Sequence, residues 1–159
     1  MVVVSSLCVC AENNQQEIAE KRVRRVYVDM VADMFHPGHV AFFKKAREFG
    51  DYLIVGLLSD EVCADYKRVP IMTLEERVAA VSACKYVDEV IAGAPLCVTD
   101  ELLDQNEIDV VIHGDDYTAE QVEKYYGAAV LRGIYRTVPY THGISTSDLI
   151  RRIRSRSWE

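Results

Sequence analysis

Two imidazoles stand three residues apart in His36-Pro37-Gly38-His39, between a β-rich run, Arg25–Met30, and a helical stretch, Gly38–Phe49. At a helix start both rings can point at one place. Such a start also carries unpaired N–H groups and the positive end of the helix dipole, so it favours an anion. Gly38 allows close approach of backbone to a ligand. Asp33 is placed to orient one imidazole. Zinc is the other chemistry a histidine pair suggests, but no third His, Cys or carboxylate stands at a convincing ligand spacing, so no metal site is expected. A second turn of this kind is Gly143-Ile144-Ser145-Thr146-Ser147. Its hydroxyls cap a helix, and the N–H groups that are capped also bind phosphate. Plainer readings stand beside these: a turn with solvent-facing histidines, solvated cations at Lys67 and Arg68, and Asp115-Asp116 as a helix cap.

The elements that must gather these residues follow from hydrophobic pattern. Strands are expected at Arg25–Met30, Tyr52–Leu58, Val87–Ile91, Ile108–Ile112 and Ile134–Val138. The unbroken apolar run Tyr52–Leu58 suits a strand buried on both faces. Helices are expected at Gly38–Phe49, with Gly50 as its stop, and at Ser59–Tyr66. Another starts at the capping box Thr73/Glu76 and runs to about Cys84; others are Thr99–Asn106, Tyr117–Gly127 and a last one capped by Ser145. Strands alternating with helices imply βαβ units and a parallel sheet covered on both faces. In that architecture ligands bind beyond the carboxyl ends of the strands. Four segments lie there: Asp29–His39, Leu58–Met72, His113–Tyr117 and Tyr140–Ser147.

A length of 159 residues is one domain. Residues 1–22 read as an N-terminal tail and 23–159 as the folded unit. Hydrophobic residues make up 50% and charged ones 27%, which excludes a disordered chain. The net charge of −7 argues against nucleic acid or an anionic membrane as partner, since both need a positive footprint. No apolar run reaches the roughly 18 residues of a membrane span. The apolar opening Met1–Cys10 has no basic segment before it and reads poorly as a signal peptide. Five cysteines at irregular spacing form no disulfide framework, so reduced thiols in the cytoplasm are expected. Cys63 and Cys84 read as small core residues.

His36-Pro37-Gly38-His39 resembles the HxGH signature of the nucleotidyltransferase superfamily. Downstream, Gly50–Gly56, Pro70–Arg77, Lys85–Val90, Ala94-Pro95, His113–Asp116 and Gly143–Ile150 resemble the cytidylyltransferase branch, the enzymes for ethanolamine phosphate, choline phosphate and glycerol 3-phosphate. The likeness covers about Val23 to Arg154. It implies a Rossmann-like nucleotidyltransferase fold with a five-stranded parallel sheet. It also implies transfer of CMP from CTP to a small phosphorylated alcohol, phosphoethanolamine first, with glycerol 3-phosphate, phosphocholine or a phosphonate as the other acceptors. His36 and His39 would stabilise charge on the CTP α-phosphate, and Lys67 would lie between the substrate phosphate and the triphosphate. Arg77 would contact phosphate. Asp116 would read the cytosine amine beside Tyr117, with Gly114 in the same turn. Gly143, Ile144, Ser145, Thr146 and Ser147 would hold the β- and γ-phosphates, and Mg2+ would bridge the triphosphate through phosphates and water. Tyr86–Val90 would lie at a homodimer interface.

The chain departs from this pattern at named positions. Met30 and Ala32 stand where Gly and Phe are usual, Arg68 where Gly is common, and Tyr140 where an Arg is usual. Arg136 either supplies that missing charge or faces solvent on the far side of the sheet. Adenylyl transfer to another acceptor, and a nucleotide-binding module of weak activity, are the rival readings.

Overall fold

A computed structural model describes residues 22–66, 68–139 and 143–157; the expectations placed on residues 1–21, on Lys67 and on Tyr140 lie outside them. Alternation along the strands divides the core in two. Val26 and Val28 on β1 (Arg25–Met30), Leu53, Val55 and Leu57 on β2 (Tyr52–Leu58), and Val110 and Ile112 on β4 (Val110–Gly114) share one cluster with Phe43, Ala46 and Val81. These last belong to helices α1 (Pro37–Ala46) and α3 (Leu74–Ser82). The intervening Tyr27, Ile54 and Val111 face the other side, against α4 (Asp100–Gln105) and α5 (Ala119–Leu131). β1, β2 and β4 are therefore buried on both faces, as the apolar runs required.

With β3 (Glu89–Ala94) and β5 (Tyr135–Val138) at its edges, the sheet runs β3-β2-β1-β4-β5, all parallel. The chain leaves β1 for one side of the sheet and later crosses to β4 on the other. The carboxyl ends of β1 and β4 thus form the switch point where such folds bind ligands.

Two elements are completed by short helices. Asp60–Tyr66 forms α2 and Thr146–Ser155 forms α6, capped by Ser145. Boundaries shift where local chemistry overrides hydrophobicity. β3 starts at Glu89, not Val87, because Val87 N–H still bonds the carbonyl of Cys84. Ile108 N–H likewise closes the end of α4 on Leu103, so β4 begins at Val110. α5 starts after Tyr117, at a capping box of Thr118 and Gln121, and runs past Gly127 to bury Ala129. Gly50 does not stop a helix through a left-handed turn. Its φ is −176°, and a 3-10 turn, Arg47–Phe49, ends the helix before it. Glycine is needed at 50 for proximity: a Cβ there would lie 2.6 Å from the carbonyl oxygen of Arg24. Cys63 is fully buried on α2, and Cys84 packs half-buried against the core just past α3.

Candidate active site

The turn from β1 into α1 is tightly wound. Ala32 and Met34 both take left-handed backbone, with φ of 56° and 50°. For residues with a side chain this costs roughly 1 kcal/mol each and is typical of functional turns. Its outcome is a helix start built from histidines. His36 is the N-cap of α1, and its Nδ1 accepts from Gly38 N–H at 3.1 Å. His39 reaches back, and its Nδ1 accepts from His36 N–H at 3.2 Å. This is a capping box with imidazoles in place of Ser and Glu.

The box fixes the chemistry of both rings. A nitrogen that accepts carries no proton, so each neutral imidazole holds its proton on Nε2. The rings stack with centroids 3.8 Å apart, and Phe35 stacks on His39 at 5.6 Å. Burial holds the His39 imidazole down to about 3, helped by His36 beside it, and burial lowers His36 as well. Both are therefore uncharged at neutral pH, as paired Nε2–H donors.

The start of α6 touches that of α1. Thr146 Oγ1 donates to the carbonyl of Asp33 at 2.9 Å, and a Cβ on Gly38 would lie 3.1 Å from the carbonyl oxygen of Ile144. A Cβ there would also meet the His36 ring at 2.9 Å, so glycine at 38 suits both the capping imidazole and the closeness of two helix starts, each favourable to anions. Ser145 spends its hydroxyl on Asp148, accepting from N–H at 3.1 Å and donating to the carboxylate at 2.7 Å.

Both helix starts border a cavity of about 300 Å³ at the switch point. Of the expected residues, Asp33, His36, Gly38, His39, Gly114, Asp116, Tyr117, Ile144, Ser145, Thr146 and Ser147 line it. Gly143, with φ of 107°, is exposed and lies off the lining. Arg77 also departs from expectation. It is fully buried and away from the cavity, donating to the carbonyls of Val31 at 2.6 Å and Leu58 at 2.8 Å, and to Asp60 at 2.6 Å. It braces the ends of β1 and β2 from behind Val31 and Leu58, which line the cavity, and is not itself on the lining. Asp33 likewise bonds no imidazole; its Oδ1 accepts from Ile71 and Met72 N–H, both at 3.0 Å.

Sequence reasoning missed the opposite wall. Asp29 is buried where β1 ends and accepts from the Tyr126 hydroxyl at 2.6 Å. Burial pushes its carboxyl above the usual range. Tyr117, which packs on Tyr125 and Tyr126, shares this lining with them, as do Met30 and Leu96. The available signal was parity. Position 29 shares the strand face of Tyr27, which packs on the α4/α5 side. His113 rests on Tyr117 with ring centroids 4.1 Å apart.

Arg136 does not replace a missing charge near the Gly-Ile-Ser turn. It is exposed, donating to the carbonyls of Gly133 at 2.9 Å and Tyr135 at 2.7 Å, at the start of β5 and so away from the cavity. Arg136→Ala is expected to leave every kinetic constant within about two-fold of wild type. A several-fold rise in the CTP constant would put Arg136 back at the site.

A Rossmann-like α/β sheet with two helix starts meeting at its switch point, one bearing paired imidazole donors, defines a nucleotidyltransferase-type nucleotide site. The cytidylyltransferase-like family matches residues 29–152, and the chain belongs to that family. It is 43% identical over 134 residues to ethanolamine-phosphate cytidylyltransferase of Dictyostelium discoideum, covering 80% of this chain and 37% of that one. It is 40% identical over 136 residues to choline-phosphate cytidylyltransferase A of Homo sapiens, covering 84% of this chain and 37% of that one. The chain thus spans about a third of the length of the curated relatives it matches. Its fold is shared with a lipopolysaccharide core biosynthesis protein from Thermoplasma volcanium GSS1. The TM-score there is 0.63 at 23% identity, over 77% of this chain and all of that one.

Proposed function

We propose that this domain transfers CMP from CTP to a small phosphorylated alcohol, releasing pyrophosphate. The observation that carries the reading is the pair of Nε2–H donors held at the α1 start, where the α6 start touches it. The CTP triphosphate lies across those starts. An oxygen of the acceptor phosphate attacks the α-phosphorus in line, and the bond to the β-phosphate oxygen breaks. His36 and His39 donate to the α-phosphate oxygens as charge concentrates there, preorganised and desolvated, which is where such donors are strongest. Lys67 would add a cation between the acceptor phosphate and the triphosphate. Among the described residues no three metal-ligating side chains cluster, so Mg2+ would be held by the phosphates and by water, shielding charge that neutral imidazoles leave uncompensated.

Phosphoethanolamine is the acceptor of first choice, in keeping with the named relatives. The wall around Asp29 supports it. An acidic side chain on a lining shared with Tyr117, Tyr125 and Tyr126 suits an ammonium group, whose charge offsets the burial that raises the carboxyl and which aromatic rings also attract. Homodimerisation through Tyr86–Val90 belongs to the same reading, with β3 at the sheet edge and Tyr86, Val87 and Val90 only partly covered. No described helix is long and apolar enough to cross a membrane.

The test is pyrophosphate release with CTP, ATP or UTP against a panel of phosphoalcohols. The expected result is release with CTP and phosphoethanolamine. Equal release with ATP, or nucleotide binding without release for any acceptor, overturns the reading in favour of an adenylyltransferase or a binding module. Base choice has its own check. Asp116 is half exposed at the cavity edge, 3.9 Å from His113 Nδ1, and free to accept from a cytosine amine. Asp116→Ala is expected to weaken CTP about ten-fold or more and to narrow its advantage over UTP. An unchanged CTP preference removes Asp116 from base recognition.

A further inference from the structure

Arg68 is the only arginine or lysine among the described residues that line the cavity. It follows α2 on the loop leading to α3, so it approaches the cavity from outside the two helix starts. Its backbone N–H bonds the carbonyl of Cys63 at 3.0 Å, and its guanidinium is paired with Asp33. Its Nη1 lies 3.1 Å from Asp33 Oδ2, yet that buried oxygen receives no aligned hydrogen bond. The guanidinium therefore faces Asp33 through Nη1 without an aligned hydrogen bond and has donors left for a ligand. Asp33 is 3% exposed, whereas the Arg68 side chain is 35% exposed.

The ion pair is also not what anchors this loop. Asp33 Oδ1 does that through the N–H groups of Ile71 and Met72, both at 3.0 Å. An arginine with free donors, a cavity in front of it and no anchoring duty suits a doubly charged anion, because its fork matches phosphate oxygens in pairs. The α1 and α6 starts already offer N–H groups to one phosphate-bearing ligand. A second phosphate-bearing ligand needs its own cation.

We propose that Arg68 binds the phosphate of the acceptor and so helps set acceptor specificity. The naming of that ligand rests on the cytidylyl-transfer reading; the phosphate site itself does not. Titration calorimetry of wild type, Arg68→Ala and Arg68→Lys with phosphoethanolamine, inorganic phosphate and CTP separates the two. Arg68→Ala is expected to weaken phosphoethanolamine and inorganic phosphate by about 10- to 100-fold, the loss of charge-assisted hydrogen bonds. Arg68→Lys is expected to fall between, and CTP to stay within about two-fold. Asp33 still anchors the loop through Ile71 and Met72 N–H but loses its counter-charge in Arg68→Ala, so the melting temperature of that variant should fall; Arg68→Lys keeps the charge and, with an unchanged melting temperature, separates a binding loss from a folding loss. Unchanged phosphoethanolamine affinity in Arg68→Ala overturns the proposal, as does wild type that binds neither phosphate probe. A loss for CTP as large as for phosphoethanolamine also overturns it, assigning Arg68 to the nucleotide. If wild type releases no pyrophosphate while Arg68→Ala still loses phosphate affinity, the transfer reading fails and the phosphate site stands.

Discussion

Replacing His36 or His39 by alanine lowers kcat by about 10²–10³-fold, the usual cost of losing one preorganised donor to developing charge. CTP affinity changes far less, because each ring acts on charge that concentrates in the transition state. Steady-state kinetics with equilibrium CTP binding on the same preparations checks both halves. A variant with near-full turnover takes that residue out of the mechanism. The alanine variants also lose the imidazole capping box, at about 1 kcal/mol. His39→Asn separates the two roles, since its side-chain oxygen can accept from His36 N–H while offering a different donor to the phosphate. This variant should regain stability but not turnover.

The same burial gives a pH dependence of known sign. His39 is held down to about 3 in the folded chain and sits near 6.5 when unfolded. Between those values the unfolded state binds more protons, so stability from His39 is complete above pH 6.5 and is lost as pH falls toward 3. Relative to His39→Asn, wild type should therefore lose stability in thermal melts as pH falls from 6.5 toward 3. A gap between the two that does not change with pH would mean the ring charges in place.

Arg77→Ala should unfold the domain far more easily while leaving the cavity lining chemically intact. The substitution empties a fully buried site and strands the carbonyls of Val31 and Leu58. Breaking such a buried group costs about 3–5 kcal/mol, and at a few degrees per kcal/mol this is a drop of roughly 10 °C in Tm. Arg77→Lys recovers little, because one ammonium cannot span three acceptors in the guanidinium plane. An unchanged Tm with a raised CTP constant would instead restore Arg77 to phosphate contact.

Much of this protein was legible in residue order, because the physics involved is local. Apolar runs and capping residues place β1, β2, α4 and α6 closely, since a strand buried on both faces admits few polar residues and a helix must cap its first N–H groups. The imidazole pair, Gly38 between them and the hydroxyls of the second turn are equally local. Boundaries at β3 and β4 were set instead by single backbone hydrogen bonds, which hydrophobicity does not encode, and the start of α5 by the Thr118/Gln121 capping box.

What the sequence alone determined was the alternating α/β class and the segments at its ligand end, because period and punctuation are properties of neighbours along the chain. Only the tertiary structure decided what each side chain there does. It buried Arg77 as a brace, gave Asp33 to the loop of Ile71 and Met72, and turned Arg136 away from the cavity. It also brought Asp29 under Tyr126 and Arg68 to the cavity wall. Each of these outcomes depends on which groups, distant in sequence, meet where water is excluded. There a charge must find its partner or stay at the surface.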